Sequence, residues 1–128
     1  MKKKILVVED FGSIRTFVCE TLNRKGYDTV GAANIKEALA ILGRGNCEIN
    51  LVLTDFNMPD GTGYDLLKKI KASSETSAIP VIFLTTESNP DKMRLAKDAG
   101  LAAWVKKPYR AENFFDQIQR ALGGQILA

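Results

Sequence analysis

The chain has 128 residues, of which 45% are hydrophobic and 26% charged, and its formal net charge is +3. This length and composition predict one globular domain, residues 1–128, with no separate output domain. The chain contains no histidine, which excludes a histidine base, a histidine metal ligand and a phosphohistidine. The small net charge argues against nucleic acid binding, which usually depends on clustered Lys and Arg.

The N-terminal segment resembles a signal peptide only superficially. The apolar run Ile5–Val8 follows three lysines, but it has four residues and ends at Glu9 and Asp10. It is too short for a signal peptide, and no other segment approaches the length that spans a membrane. We therefore expect a cytoplasmic protein with no membrane insertion. Cys19 and Cys47 lack the spacing of metal ligands and are expected to be free thiols in that compartment.

Short apolar runs alternate with helical patterns along the chain. Continuous apolar runs of this length are typical of strands that are buried on both faces of a parallel sheet. The predicted strands are Ile5–Val8, a weak one at Thr29–Ala33, Leu51–Thr54, Val81–Leu84 and Ala102–Val105. Together with the helices between them, they predict an α/β domain with five βα units and right-handed crossovers.

The helices are predicted from apolar residues that recur at spacings of three and four. Three stripes lie between strands, namely Ile14, Phe17, Val18 and Leu22; Ile35, Ala38, Leu39 and Leu42; and Gly63, Leu66, Leu67 and Ile70. A less regular stretch covers Asp91–Ala99, and a last stripe comprises Phe114, Phe115, Ile118 and Leu122. Gly26, Gly43 and Gly100 stand where helices are expected to end.

Polar residues stand at the ends of four predicted strands. They are Glu9 and Asp10 after the first, Asp55 after the third, Thr85 and Thr86 after the fourth, and Lys107 after the fifth. The carboxyl ends of parallel strands form the ligand crevice of an open α/β sheet. Carboxylates that lie close together usually surround a cation, and oxygen ligands favour Mg²⁺ before Mn²⁺.

The combination of a carboxylate nucleophile, Mg²⁺, a lysine and a threonine indicates phosphoryl transfer. Each residue alone also has a structural explanation. Asp55 could cap a helix or form a turn, and Lys107 could be a solvated lysine. It is their joint placement at strand ends that favours the functional interpretation.

Four motifs resemble the receiver domain of two-component response regulators, and most closely the stand-alone chemotaxis type. They are "ILVVEDFGSIR", "LVLTDFNMPDGTG", "VIFLTTE" and "AAWVKKPY", and the resemblance covers about residues 3–123. It implies a flavodoxin-like (βα)5 three-layer sandwich with a five-stranded parallel sheet in the order 2-1-3-4-5.

The resemblance also implies roles for the acidic residues and the lysine. Asp55 would accept a phosphoryl group from a sensor histidine kinase or its phosphotransfer domain. Asp10 would bind Mg²⁺ directly, Glu9 would assist through a water, and Asn57 would offer its backbone carbonyl. Lys107 would bridge to the phosphoryl group.

Further roles follow from the same resemblance. Thr85 would hydrogen-bond to the attached phosphoryl group and Trp104 would be the aromatic switch, where Tyr or Phe is usual. Pro108 would follow a cis peptide that directs the preceding lysine at the site. Asn57 and Glu87 would tune hydrolysis of the phosphorylated state.

The output is expected through protein contact at the fourth helix, fifth strand and fifth helix. Residues 91–110 contain six basic side chains and two acidic ones, 6 − 2 = +4, although an ordinary solvated face would look similar. The basic residues are Lys92, Arg94, Lys97, Lys106, Lys107 and Arg110. We expect a monomer that phosphorylates and dephosphorylates itself but is not a turnover enzyme.

Three other functions remain open from the sequence. A phosphatase or phosphotransferase of the haloacid dehalogenase type would need a second acid two residues after the nucleophile, where this chain has Asn57. A flavin-binding domain would need a phosphate-binding loop after the first strand, where this chain has Glu9 and Asp10. An interaction module without phosphorylation would not need the full acceptor set.

Overall fold

Five parallel strands form one sheet in the computed structural model, which describes residues 2–44 and 48–123. The strands are β1 (Lys4–Val8), β2 (Asp28–Ala32), β3 (Leu51–Thr54), β4 (Val81–Thr85) and β5 (Ala103–Lys106). Their order in the sheet is β2-β1-β3-β4-β5, and all four neighbouring pairs are parallel. The predicted α/β flavodoxin-like fold and its strand order are confirmed.

Five helices cover the two faces of the sheet. They are α1 (Gly12–Arg24), α2 (Ile35–Leu42), α3 (Gly63–Ala72), α4 (Pro90–Asp98) and α5 (Ala111–Ala121). Helices α1 and α5 pack against one face, and α2, α3 and α4 pack against the other. Each helix therefore contributes to one of two hydrophobic cores that the sheet separates.

The central strands are buried because their side chains alternate between these two cores. In β1, Ile5 and Val7 join the core under α1 and α5, whereas Leu6 and Val8 join the core under α2, α3 and α4. Full burial of such a side chain contributes roughly 1.5–3 kcal/mol. The edge strand β2 is only partly buried, which explains its weak apolar signal.

The apolar stripe predicted for α1 is wrong in its first half. Ile14 and Phe17 are 39% and 58% exposed, and the residues that face the sheet are Arg15, Val18 and Leu22. These three are also spaced by three and four residues, so they form a stripe rotated around the helix from the predicted one. In the first turn of α1, it is the side chain of Arg15 that lies over β2.

The predicted helix ends are confirmed at three glycines. Gly26 and Gly100 follow α1 and α4 with φ angles of +97° and +101°, a region that favours glycine. Gly43 is the residue after the last helical residue of α2. At its other end, α3 begins with a capping box between Thr62 and Asp65.

Two further predictions concern cysteines and membranes. Cys19 is a half-buried free thiol in α1, whereas Cys47 lies outside the described residues. Across residues 2–44 and 48–123, the helices are too short or too polar to cross a bilayer.

Candidate functional site

An open cleft of about 380 Å³ lies at the carboxyl ends of β1, β3 and β5. Val8 aligns with Thr54 in the sheet, so the residues that follow β1 and β3 emerge side by side. The cleft brings together most of the predicted site residues, and its polar lining comprises Glu9, Asp10, Asp55, Asn57, Thr86 and Lys107. We refer to Glu9, Asp10, Asp55 and Lys107 as the acceptor cleft.

Lys107 is shared between two carboxylates of the acceptor cleft. Its Nζ lies 3.4 Å from Asp55 Oδ2 and 3.6 Å from Glu9 Oε1. The lysine directly follows β5, and its backbone N–H donates to the carbonyl of Thr85 at 2.9 Å. The Lys107–Pro108 peptide is cis. One ammonium group at these distances neutralises neither carboxylate completely.

Glu9 is the most enclosed carboxylate of the cleft. Its backbone N–H donates to the carbonyl of Ala32 at 2.9 Å, and its Oε2 accepts from the backbone N–H of Phe11 at 3.2 Å. Only 6% of the residue is exposed, and this burial raises the pKa of its carboxyl above the ordinary value. A buried carboxylate is costly unless positive charge lies nearby, so the site favours an additional cation.

Asp55 presents its carboxylate from a tightly packed backbone. Its Oδ1 accepts from the N–H of Asn57 at 3.2 Å, while its Oδ2 faces Lys107. The start of α3 passes close behind it, because a Cβ on Gly63 would lie only 2.8 Å from the Asp55 carbonyl oxygen. The Asp55 carboxylate is therefore oriented by one hydrogen bond and by the contact between its backbone and α3.

A short hairpin after β3, which was not predicted from the sequence, forms one wall of the cleft. Asn57–Met58 pairs in antiparallel fashion with Gly61–Thr62. At its tip, the carboxylate of Asp60 accepts from the backbone N–H groups of Ile35 and Lys36 at 3.0 and 3.1 Å. These bonds, led by the one from Ile35, hold the pKa of Asp60 below its usual range. The Pro-Asp-Gly sequence at the tip is the turn signal that could have revealed this hairpin.

The donor atoms of the cleft fit a hydrated hard cation. The acidic side chains that line the cleft offer carboxylate oxygens, which suit Mg²⁺ better than softer metals. Within the described ranges, no three His, Cys, Asp or Glu side chains gather around a point where they could hold a metal on their own.

Thr85 lies behind the cleft and does not line it. The residue is fully buried at the end of β4, and its Oγ1 accepts from the backbone N–H of Glu87 at 3.1 Å. The predicted switch aromatic, Trp104, lies on the same face of the sheet, since it is paired with Phe83 in the neighbouring strand. The structure thus places Thr85 and Trp104 on either side of one loop.

That loop, residues 85–89, is held by hydrogen bonds within itself and by one from the indole of Trp104. We call residues 85–89 together with Trp104 the switch loop. The Nε1–H of Trp104 donates to the carbonyl of Glu87 at 3.0 Å. Its ring contacts Phe56 and Phe83 at centroid distances of 5.6 and 5.3 Å. This hydrogen bond could not be predicted from the sequence because it depends on where the loop carbonyl points.

The carboxylate of Glu87 faces the loop and α4. It accepts from the backbone N–H groups of Ser88 and Asn89 at 3.2 and 3.1 Å, and it pairs with Lys92 Nζ at 3.1 Å. The hydrogen bond from Lys92 is the main reason that the pKa of Glu87 is lowered. The side chain predicted to tune hydrolysis is therefore held at the start of α4.

A second groove, of about 460 Å³, lies between α4 and β5 on the predicted output face. Its floor is largely apolar and includes Met93, Leu101 and Trp104, and its edge carries Arg94 and Lys97. The indole of Trp104 therefore reaches both the switch loop and this groove.

Comparisons with known proteins give one consistent result. The family described as response regulator receiver domain matches residues 5–119. Chemotaxis protein CheY1 of Helicobacter pylori is 34% identical over 121 residues, which cover 94% of this chain and 97% of that protein. Chemotaxis protein CheY of Pseudomonas aeruginosa is 34% identical over 118 residues, which cover 91% and 94%.

Solved structures show the same similarity. The chemotaxis response regulator CheY4 of Vibrio cholerae superposes with a TM-score of 0.84 at 34% identity, over 94% of this chain and 99% of that one. A response regulator receiver domain protein from Clostridium thermocellum superposes with a TM-score of 0.87 at 32% identity, over 98% of each chain.

Proposed function

This chain belongs to the response regulator receiver domain family, and from that membership we propose that it is a phosphorylation-dependent switch with Asp55 as its phospho-acceptor. Proteins of this family are signalling switches and not turnover enzymes. The observation that carries the proposal is the position of the Asp55 carboxylate. One of its oxygens accepts from Asn57 N–H, and the other lies 3.4 Å from Lys107 Nζ in an open cleft.

The acceptor cleft supports attack by Asp55 on a phosphoryl donor. The Asn57 N–H fixes the carboxylate, so that Oδ2 is directed into the cleft as the nucleophile. Lys107 would turn from the two carboxylates to the incoming phosphoryl oxygens, because these carry more negative charge. Self-dephosphorylation would follow from attack by water on the phosphoryl group, which returns the Asp55 carboxylate.

The residues that would hold Mg²⁺ are Asp10, Asp55 and the backbone carbonyl of Asn57, with Glu9 assisting through a water. When bound, Mg²⁺ supplies positive charge that offsets the repulsion between the carboxylates and the phosphoryl oxygens. Support comes from the enclosed Glu9 carboxylate and from the oxygen-only donor set. Mn²⁺ would suit the same donors.

Phosphorylation would reach Trp104 through Thr85. The Thr85 hydroxyl, which now accepts from the Glu87 N–H, would reorient to donate to a phosphoryl oxygen, so the loop would lose one anchor. The Glu87 carbonyl, which accepts from the Trp104 indole, would then shift with it. We describe this as a population shift between two arrangements of the switch loop.

This coupling can be followed through Trp104, the single tryptophan of the chain. Its fluorescence should change when Mg²⁺ binds and again when a phosphodonor is added. In Thr85→Ala, phosphorylation should persist while the second change shrinks. An unchanged spectrum in the fully phosphorylated wild-type protein would exclude Trp104 as the switch.

We further propose that the phosphorylated state lasts seconds to minutes. Asn57 is small and polar, and the Glu87 carboxylate is bonded to its own loop and to Lys92, so both leave the attacking water room. A phosphoprotein that stays intact for hours at pH 7 would contradict this.

The partners would be a histidine kinase, or its phosphotransfer domain, and a downstream protein. We place the downstream contact at α4, β5 and α5, where the groove offers an apolar floor and a basic edge to an acidic segment. Chemotaxis or motility is the proposed process because relatives that cover most of the chain are chemotaxis proteins. Arg94→Glu with Lys97→Glu should weaken that contact and slow association, whereas unchanged binding would place the surface elsewhere.

The phospho-acceptor itself is tested with acetyl phosphate and MgCl2. Mass spectrometry should show one added phosphoryl group in the wild-type protein, none in Asp55→Asn, and wild-type incorporation in Asp98→Asn, which removes an exposed carboxylate of α4. EDTA should suppress the reaction. Full phosphorylation of Asp55→Asn, or of the wild type in EDTA, would overturn the assignment.

A further inference from the structure

Arg15 reaches from α1 across the sheet to the end of β1. One guanidinium nitrogen donates to the backbone carbonyl of Glu9 at 2.7 Å. Its aliphatic stem lies against Gly31 in β2, where an added Cβ would be 3.1 Å from Arg15 Cδ. A glycine inside a strand weakens the strand and often marks the close approach of another group. Here Gly31 leaves the space that the stem of Arg15 occupies.

The contact between Arg15 and Glu9 helps to fix the backbone of Glu9 in the acceptor cleft. The N–H of Glu9 is held by the carbonyl of Ala32 at 2.9 Å, and its carbonyl is held by Arg15. That carbonyl belongs to the peptide bond between Glu9 and Asp10, so its direction sets where the exposed Asp10 leaves the strand. A hydrogen bond from a charged donor is roughly twice as strong as a neutral one.

The turn between β1 and α1 lacks the anchors that usually order such a segment. Phe11 occupies the N-cap position of α1 and offers no side-chain hydrogen bond, and the first helical turn contains no acidic residue. Two side chains tie the start of this helix to the end of the strand, namely Glu9, which accepts from the Phe11 N–H, and Arg15, which alone of the two carries a positive charge.

We propose that Arg15 is a positioning residue for the metal site, holding the peptide between Glu9 and Asp10 in the orientation that binds Mg²⁺, and that Gly31 makes room for it. The inference rests on the proposed function and deepens its metal site. Two effects of Arg15 on a cation have opposite signs. Its charge repels Mg²⁺, whereas its hydrogen bond orients the Mg²⁺ ligands, and we infer that the orientation is the larger effect.

Because the charge of Arg15 and its hydrogen bond affect Mg²⁺ binding in opposite directions, a binding experiment can tell which effect is larger. Binding of MgCl2 is measured by calorimetry and by Trp104 fluorescence at constant ionic strength. If Arg15 acted only through charge, Arg15→Gln would bind Mg²⁺ more tightly. As a positioning residue, its loss should raise the Kd for Mg²⁺ by about tenfold, the scale seen when partners of metal ligands are removed. Arg15→Lys, which keeps a charged donor, should recover part of the affinity.

Gly31→Val tests the same idea without changing charge. Valine favours strands, so the melting temperature without metal should not fall, yet the displaced Arg15 should raise the Kd for Mg²⁺. The matched control is Arg24→Gln, which removes an exposed arginine from the last turn of the same helix and should bind like wild type. At saturating MgCl2, phosphorylation of Arg15→Gln by acetyl phosphate should return close to that of wild type.

Unchanged or tighter Mg²⁺ binding by Arg15→Gln would overturn the inference. If that variant fails to fold, wild-type affinity in Gly31→Val would overturn it instead. If the wild-type protein is phosphorylated in the presence of Mg²⁺ and these variants bind Mg²⁺ with wild-type affinity, only the role of Arg15 is refuted. A wild-type protein that neither binds Mg²⁺ nor accepts a phosphoryl group would refute the proposed function as well.

Discussion

The acceptor cleft and the switch loop lie at the same edge of the sheet but are stabilised in opposite ways. Among the described residues that line the cleft, three carboxylates face the single ammonium of Lys107. In the switch loop, by contrast, Thr85, Glu87 and Trp104 satisfy one another through short hydrogen bonds. The described lining of the cleft holds more negative charge than Lys107 can compensate, whereas the polar groups of the loop already have their partners.

The difference indicates how each region can respond to a ligand. The cleft gains stability when positive charge enters, because the carboxylates then repel one another less. A rearrangement of the loop breaks hydrogen bonds that it already makes, at about 1 kcal/mol for each ordinary one. A signal that passes from one to the other must therefore provide new contacts worth more than the bonds that the loop gives up.

The largest expected effect comes from breaking the backbone support of the cleft. In Gly63→Ala the new methyl group would meet the Asp55 carbonyl at 2.8 Å, so the start of α3 must move. We expect a loss of about 1–3 kcal/mol in the free energy of unfolding, measured in urea, and slower phosphorylation.

Gly12→Ala is the matched control, because both glycines are the first residue of a helix. A Cβ on Gly12 would meet only Arg15 at 3.6 Å, an ordinary contact, so this variant should be as stable as wild type or slightly more so. Equal stability of the two variants would contradict the close approach behind Asp55.

The second change acts on the loop alone. Trp104→Phe keeps an aromatic ring but removes the indole N–H that the Glu87 carbonyl accepts. We expect a loss of about 1 kcal/mol and faster hydrogen exchange of the amides at residues 86–89. The Kd for Mg²⁺ should stay at the wild-type value, since the cleft is intact. Unchanged exchange would show that the indole does not hold the loop.

A third change tests how the hairpin that forms the cleft wall is anchored, through the pH dependence of stability. The folded state lowers the pKa of Asp60, so the ionised carboxylate stabilises the fold above the pKa of the unfolded chain. That contribution is lost as pH falls through the folded pKa. Asp60→Asn should therefore be less stable than wild type by about 1 kcal/mol at pH 7, as for a lost helix cap, with the gap closing below about pH 4.

Melting curves from pH 7 to acid would measure that gap. Glu20→Gln, which changes an exposed carboxylate in the middle of α1, should show no comparable dependence on pH. A constant difference between wild type and Asp60→Asn across the whole range would rule out the carboxylate as the anchor of the hairpin.

The smallest expected effect is the stabilisation of the protein by Mg²⁺, which tests the excess of negative charge in the cleft. MgCl2 at a concentration equal to its Kd should stabilise the protein by about 0.4 kcal/mol, because only the native state forms the site. Thermal melting should detect this as a rise that NaCl at the same ionic strength does not reproduce. Asp10→Asn should reduce the rise without affecting the switch loop, and equal responses to the two salts would argue against a metal site.

The sequence predicted the central strands and the acidic cluster for a clear physical reason. Buried parallel strands are continuously apolar, and their carboxyl ends must meet at one edge of the sheet. Features that depend on side-chain direction were not predictable in this way. In α1, Ile14 and Phe17 fitted the apolar period as well as Val18 and Leu22, and only the path of Arg15 across β2 shows which stripe faces the sheet.

The same limit applies to single hydrogen bonds. The two-residue strands of the hairpin at 57–62 are too short for any periodic signal. The bond from Trp104 depends on the direction of one backbone carbonyl, which composition and spacing do not encode. The sharing of Lys107 between Glu9 and Asp55 likewise depends on a side-chain conformation.

The anchoring of the hairpin has a consequence for chain length. One end of residues 57–62 is fixed where the Asn57 N–H meets Asp55, and the tip is fixed where Asp60 holds the start of α2. An inserted or deleted residue between these two points would break one of the two attachments. The segment has the exposure and the residue types of an ordinary surface turn, a place where proteins usually tolerate changes in length. In this protein it is instead a spacer whose number of residues is set by the distance between Asp55 and the start of α2.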